Sequence, residues 1–278
     1  MKKKARQESL LQGTPADLST QIGGLLALDR QREKQRKLFG GLGLAAGIPG
    51  CLLTFVFFPI GLPLLALGIG LGVVWNKFAK CDLDETRLQL AQGFLAKLAP
   101  DISLKAPVEV TIRHGDAFEH GESLEDRKWG VVRYQTTRDE WFGVQAKLHD
   151  HTVLVLEATL CGKRKSRSKR KYTKTKDRDR DVVRVALRVD PQQYPRLAQL
   201  PNLLDPKRLT AHTGMTVQGV RVEENRIHLV AVTDPRMTLI GRASHRTEQG
   251  AQNRLTPEKL VGLLAFVYGG LTRCGPGS

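Results

Sequence analysis

LFGGLGLAAGIPGCLLTFVFFPIGLPLLALGIGLGVVW, residues 38–75, contains no charged residue and no histidine. Uncharged apolar runs beyond about 18 residues read as membrane-crossing, and this one is about twice that long. As one straight helix it would reach about 57 Å at 1.5 Å per residue, against a hydrocarbon core of about 30 Å. The run must therefore fold back or tilt. FPIGLP, residues 58–63, supplies the bend: Pro59 and Pro63 lack the backbone donor a helix needs, and Gly61 adds freedom between them. The expected unit is a transmembrane helical hairpin over residues 38–79, with arms near 38–57 and 62–79. A wedge that dips into one leaflet and returns is the alternative.

Arg30, Arg32, Lys34, Arg36 and Lys37 precede the first arm, and Lys77 and Lys80 follow the second. Basic flanks stay on the cytoplasmic side, so two spans with both termini cytoplasmic are expected, the uncharged bend facing out. Trp75 suits an interfacial anchor. Gly43 and Gly47, like Gly68 and Gly72, are spaced to let helix backbones approach, within the hairpin or in self-association between copies.

The chain has 278 residues, enough for the hairpin and one domain of ordinary size. Its net charge of +16 is unevenly spread: residues 161–190 hold 13 Lys and Arg against 4 acids, while residues 81–160 are net acidic. Such localisation assigns an anionic partner to one loop and not to the general surface. Cys51, Cys81, Cys161 and Cys274 stand at no metal-ligand spacing and read as thiols of a reducing compartment. The first 37 residues hold no apolar leader segment, so the spans themselves are expected to direct insertion.

Residues 1–37 read as a mobile basic tail followed by a juxtamembrane helix from Asp17, with DRQREKQRK (29–37) as a charged turn. Residues 80–100 predict a linker helix. Asp82 and Glu85 fit a capping box, Leu88, Ala91, Leu95 and Leu98 form one stripe, and Pro100 stops it. We expect a stalk there. From residue 101 the hydrophobic period changes to two. VEVTIR (108–113), GVVRYQ (130–135), EWFGVQAKLH (140–149), TVLVLEATL (152–160) and DVVRVALRV (181–189) read as strands. TVQGVRVEENRIHLVAVT (216–233) reads as a hairpin turning at 223–225, with Asn225 tolerating left-handed backbone. HGDAFEHGESLEDRKWG (114–130) reads as an acidic loop, Asp150 as a tight turn and residues 191–200 as a short helix. Thr256 caps, and Pro257 opens, a terminal apolar helix over 257–271. The expectation is a membrane-anchored α+β chain: a two-arm hairpin, then a cytoplasmic domain over 101–278 with a mostly antiparallel sheet of six to eight strands and a C-terminal helix.

GKRKSRSKRKYTKTKDRDRD (162–181) is the strongest local signal. Lys163, Arg164, Lys165, Arg167, Lys169, Arg170, Lys171, Lys174 and Lys176 come without one intervening acid, on a hairpin arm over 163–180. These are the candidate anion-binding residues, since such density is self-repelling until an anionic surface relieves it. The expected function is a membrane-anchored binding or scaffold protein whose arm engages acidic lipid headgroups or an acidic protein partner. A membrane-tethered nucleic-acid binder is the alternative, with only Tyr172 in the arm for base stacking. A membrane-bound enzyme with a dispersed site is the second alternative. No catalytic residue, metal or cofactor is assigned. His114 and His120 with Asp116, Glu119 and Glu122, and the pair His149 and His151, match no ligand motif. Ser166 and Lys169 match a nucleophile motif by spelling alone, and no phosphate-binding loop or nucleophile elbow is present.

Overall fold

Strands between residues 108 and 249, joined by one from the N-terminal segment, form one sheet, with helices before, between and after them. In a computed structural model, residues 7–79, 83–103, 106–240 and 246–275 are described. They divide into two units: Ile22–Glu85, and Met1–Gln21 together with Thr86–Ser278.

The first unit is a helical hairpin. Helix α1 (Pro15–Val56) is continuous through residues 29–37, so the expected charged turn is helical. Helix α2 (Phe58–Ala79) begins after a break at Phe57. The bend thus falls before the prolines and not between them, because Pro59 in the first turn of α2 has no intrahelical donor to lose. Glycines let the two arms touch. A Cβ on Gly68 would lie 2.5 Å from Gly47 Cα, and one on Gly50 would lie 2.5 Å from the Leu65 nitrogen. The Arg36 guanidinium lies 5.2 Å from the Trp75 ring centroid, and Lys37 pairs with Glu33 at 2.7 Å. Both helices are long and apolar enough to cross a membrane, and only 6% and 11% of their most apolar windows are buried within the chain. Lys80 and Cys81 lie outside the described residues, as does the expected cap Asp82.

The second unit is α+β. Strand β1 (Glu8–Gly13) precedes α1 and pairs antiparallel with β2 (Val108–Arg113). Residues 8–13 are therefore structured and not part of a mobile tail: main-chain bonding needs no strong apolar pattern, and Leu10 remains 72% exposed. Helix α3 (Glu85–Leu98) buries Leu88, Leu90, Ala91, Phe94, Leu95 and Leu98. It is a core helix, not a stalk, and Phe94 meets Phe142 of the sheet edge-on at 6.1 Å.

Helix α4 (Ala117–His120) and strand β3 (Glu122–Trp129) replace the expected acidic loop. All eight β3 side chains are exposed, so its sequence carries no apolar alternation. Strands β4 (Val132–Lys147), β5 (Val153–Ser168) and β6 (Thr173–Arg188) have 16 residues each, about 53 Å at strand rise. Helices α5 (Leu200–Leu203) and α6 (Pro206–Thr213) lead to β7 (Met215–Glu223) and β8 (Arg226–Thr233). Their tight turn places Glu224, not Asn225, in the left-handed region, at φ 50°. Strands β9 (Arg236–Ile240) and β10 (Arg246–Gln249) follow, and α7 (Pro257–Leu271) begins with Thr256 accepting from Lys259 N at 3.3 Å.

All ten strands join one antiparallel sheet. Its basal half runs β1-β2-β4-β5-β6-β8-β7, whereas distally β3 flanks β4, β9 flanks β6 and β10 flanks β9. One face of the basal half is the core. Val110, Val144, Leu156, Val185 and Leu229 form one row across five strands, none more than 3% exposed. The adjacent row, Thr111, Gly143, Glu157, Arg184 and Val230, contains no buried residue. The sheet is covered on one side and open on the other.

Candidate anion-binding surface

The basic arm is the distal part of β5 and β6, hydrogen-bonded in register to its end. Side chains alternate between faces along each strand, so the register sorts the arm's charges. On the open face Lys163 stands opposite Arg178, Lys165 opposite Lys176, Arg167 opposite Lys174, and Arg180 lies beside Cys161. Seven cations thus share one surface in two columns, with successive charges about 7 Å apart along a strand and strands about 4.8 Å apart. Three cross-strand pairs set like charge against like charge, an arrangement that destabilises a sheet on its own. Among the described residues none of the seven forms an ion pair. Acids on this face lie outside the arm, at Glu122 and Glu125 of β3, Glu140 of β4 and, in the basal half, Glu157 of β5.

The other face carries the acids. Arg164 donates through Nε and Nη2 to Asp177, both at 2.9 Å, approaches Asp116 at 3.5 Å, and lies 3.9 Å from the Phe118 ring centroid. Arg236 reaches Asp179 at 3.2 Å and Asp181 at 3.0 Å. Trp141, the extra residue of a bulge in β4, donates its indole N–H to Asp181 at 3.2 Å. Burial pushes the Asp181 carboxyl above the ordinary carboxylate range, while Arg236 and the Trp141 bond pull it back. The DRDRD run is therefore a sorting device: Asp177, Asp179 and Asp181 tie the strands together on one face, and Arg178 and Arg180 join the cations on the other.

Eight of the nine candidate anion-binding residues remain available. Lys163, Lys165, Arg167, Lys174 and Lys176 lie on the open face, and Lys169, Arg170 and Lys171 lie in the exposed turn between β5 and β6. Arg164 does not belong with them, because its position in the alternation turns it to the acidic face, where its charge is engaged. Of the membrane-flanking residues, Arg30 pairs with Glu85 at 2.9 Å, Arg32 and Lys34 lie within α1, and Arg36, Lys37 and Trp75 interact as above. Lys77 is placed in α2 by its backbone alone.

Arg178 and Arg180 fall outside the unbroken basic run, and their period-two alternation with the aspartates, which in an extended chain brings like charges to one face, is the sequence signal that adds them. Aromatic groups were missed too. Tyr134 lies directly across from Lys165, whose ammonium sits 5.2 Å from the ring centroid. Trp129 pairs with Val132, which pairs with Arg167. These rings come from β3 and β4, which the sequence does not connect to the arm.

The histidines lie elsewhere. His114 is buried and within 3.1 Å of the Ser9 hydroxyl, and His120 borders a cavity of about 320 Å³ with Arg113, Arg138 and Glu140. A second cavity, of about 370 Å³, is lined by His149, Asp150, Lys97, Asp101 and Tyr268. Burial raises the Tyr268 phenol well above its usual range, so it stays protonated at neutral pH. Burial likewise raises the Cys274 thiol, which is therefore not activated as a nucleophile. Among the described residues no three His, Cys, Asp or Glu side chains converge as metal ligands. No protein-family model, curated protein or solved structure matches the chain.

Proposed function

We propose that this chain is an integral membrane protein that holds its α+β unit at the cytoplasmic leaflet, where the open face of β5 and β6 engages acidic lipid headgroups. One observation carries the reading. The arm's acids are all spent on one face in pairs with Arg164 and Arg236, leaving seven cations on the other with no acid between them. A fold that sets Lys165 against Lys176 holds repulsion that an anionic surface would relieve.

The hairpin supports the choice of surface. Its apolar helices are nearly uncovered by the rest of the chain, and an anchor makes every later encounter with the leaflet intramolecular. Each Lys or Arg near an anionic leaflet contributes about 1 kcal/mol, and the effect fades within a Debye length of about 8–10 Å. The basic flanks Arg30 to Lys37 are the grounds for cytoplasmic termini.

A second reading is favoured by Tyr134 and Trp129. Rings beside cations on an open sheet face are also how single-stranded nucleic acid is held. An acidic protein partner would use the same cations.

The test is lysine footprinting of the full chain in nanodiscs of neutral lipid or of neutral lipid with 30% phosphatidylserine. Protection of Lys163, Lys165, Lys174 and Lys176 that requires phosphatidylserine and is lost at high salt supports lipid engagement. Protection that ignores lipid composition rejects it. Protection that instead follows added single-stranded RNA, with affinity falling steeply as salt rises, moves the assignment to nucleic acid.

A further inference from the structure

We infer that the distal end of the sheet is an interfacial insertion tip, in which Trp129, Val131 and Tyr172 enter the headgroup region of an anionic bilayer while the surrounding cations hold phosphates. The inference rests on the lipid reading above and adds to it an apolar contact and a defined orientation of the arm.

The β3–β4 hairpin turns through Gly130 and Val131, with Gly130 at φ 59°, a backbone region suited to glycine at the start of a two-residue turn. This tight turn leaves Trp129 80% and Val131 59% exposed. The neighbouring β5–β6 turn is fixed beside it, since Ser168 N donates to Val131 O at 3.0 Å. That second turn contributes Tyr172, with the Lys169 ammonium 5.7 Å from its ring centroid, together with exposed Arg170 and Lys171. Arg167 and Lys174 stand opposite each other in the next rows.

A water-facing indole beside an exposed valine buries little surface within the sheet. Trp and Tyr favour the membrane–water interface, where the ring meets hydrocarbon and the polar atom stays wet. Lys and Arg can lay their apolar stems along the same surface with the charge reaching phosphate. A bilayer fits this tip better than nucleic acid, because Val131, exposed in the tight β3–β4 turn, offers no face for base stacking.

The experiment uses the full chain in nanodiscs containing 30% phosphatidylserine and lipids brominated near the glycerol backbone. Tryptophan quenching is compared with that of Trp129→Ser, which isolates Trp129 from Trp75 and Trp141, and lysine footprinting is run in parallel. Both side chains are exposed, Trp129 at the end of β3 and Val131 in the turn, so Trp129→Ser and Val131→Ser leave the fold intact. A quenched component that is lost in Trp129→Ser, beyond the quenching of Trp75 that remains, together with protection at Lys174 that weakens in Val131→Ser, is expected. Protected lysines without quenching at Trp129 overturn the tip and leave the lipid reading standing. Neither protection nor quenching overturns both. Quenching of Trp129 by polyuridylate in place of bilayer would assign the tip to nucleic acid and also overturn the inference.

Discussion

Arg164 and Lys165 are neighbours in sequence with opposite duties, and exchanging each for glutamine separates them. The Arg164 side chain is 22% exposed, and that of its partner Asp177 is 13% exposed. Arg164→Gln leaves Asp177 without its bidentate donor and removes the cation over Phe118. Stranding a half-buried charge costs about 2–4 kcal/mol, a large part of the 5–15 kcal/mol typical of a domain. For a unit of this size that is a fall of about 5–15 °C in Tm. Lys165→Gln gives up a surface contact with Tyr134 but relieves repulsion from Lys176, so stability should move by no more than about 0.5 kcal/mol. Its effect should fall on lipid engagement, weakened about fivefold for one lost charge near an anionic surface. Thermal unfolding in detergent, with hydrogen exchange at the β5 and β6 amides, reads the first quantity. Phosphatidylserine-dependent footprinting of the remaining lysines reads the second. If Arg164→Gln weakens lipid protection while leaving Tm in place, or if Lys165→Gln destabilises as much as Arg164→Gln, the assignment of faces is wrong.

Three further outcomes follow from the fold. A fragment starting at residue 101 lacks β1 and α3, and with α3 the burial of Leu88, Phe94, Leu95 and Leu98; at about 1.5–3 kcal/mol per large side chain it should show no cooperative unfolding transition. Gly68→Leu places side-chain atoms where Gly47 Cα already lies within 2.5 Å of a Cβ, so a cross-link between cysteines in the two arms should form more slowly than in the parent hairpin. Asp181→Asn mimics the neutral acid. Because burial holds the folded-state pKa above its unfolded value, the native carboxyl's contribution is present at low pH and declines as pH rises through the folded value. Urea midpoints of native chain and variant should therefore shift in the variant's favour as pH rises out of the ordinary carboxylate range.

The sequence was most legible where one physical pattern dominated. The uncharged run announced the hairpin, and alternation over residues 181–189 and 216–233 announced strands, because burying one face forces that pattern. Thr256 and Pro257 announced the terminal helix. Illegible elements owe their place to main-chain bonding, not side-chain burial. ESLLQG of β1 and ESLEDRKW of β3 are edge or distal strands with little to bury. The helix containing Phe94 looked like a stalk because an apolar stripe does not say what it packs on. For the candidate site the basic run was plain, but its division into faces depended on register, which converts consecutive Arg164 and Lys165 into a structural cation and a surface one. The contribution of Tyr134 and Trp129 depended on long-range pairing with β4 and was beyond any local reading.

If anchor and arm face the same acidic leaflet, impermeant cysteine labelling in intact cells will separate the bend from the arm. Single cysteines would be placed at Ile60, beside the bend, and at Arg170, in the exposed turn of the arm. Labelling is expected at Ile60, and none at Arg170 until the membrane is permeabilised. Labelling at Arg170 in intact cells would put the arm on the side opposite the cytoplasmic leaflet and rule out its engagement there.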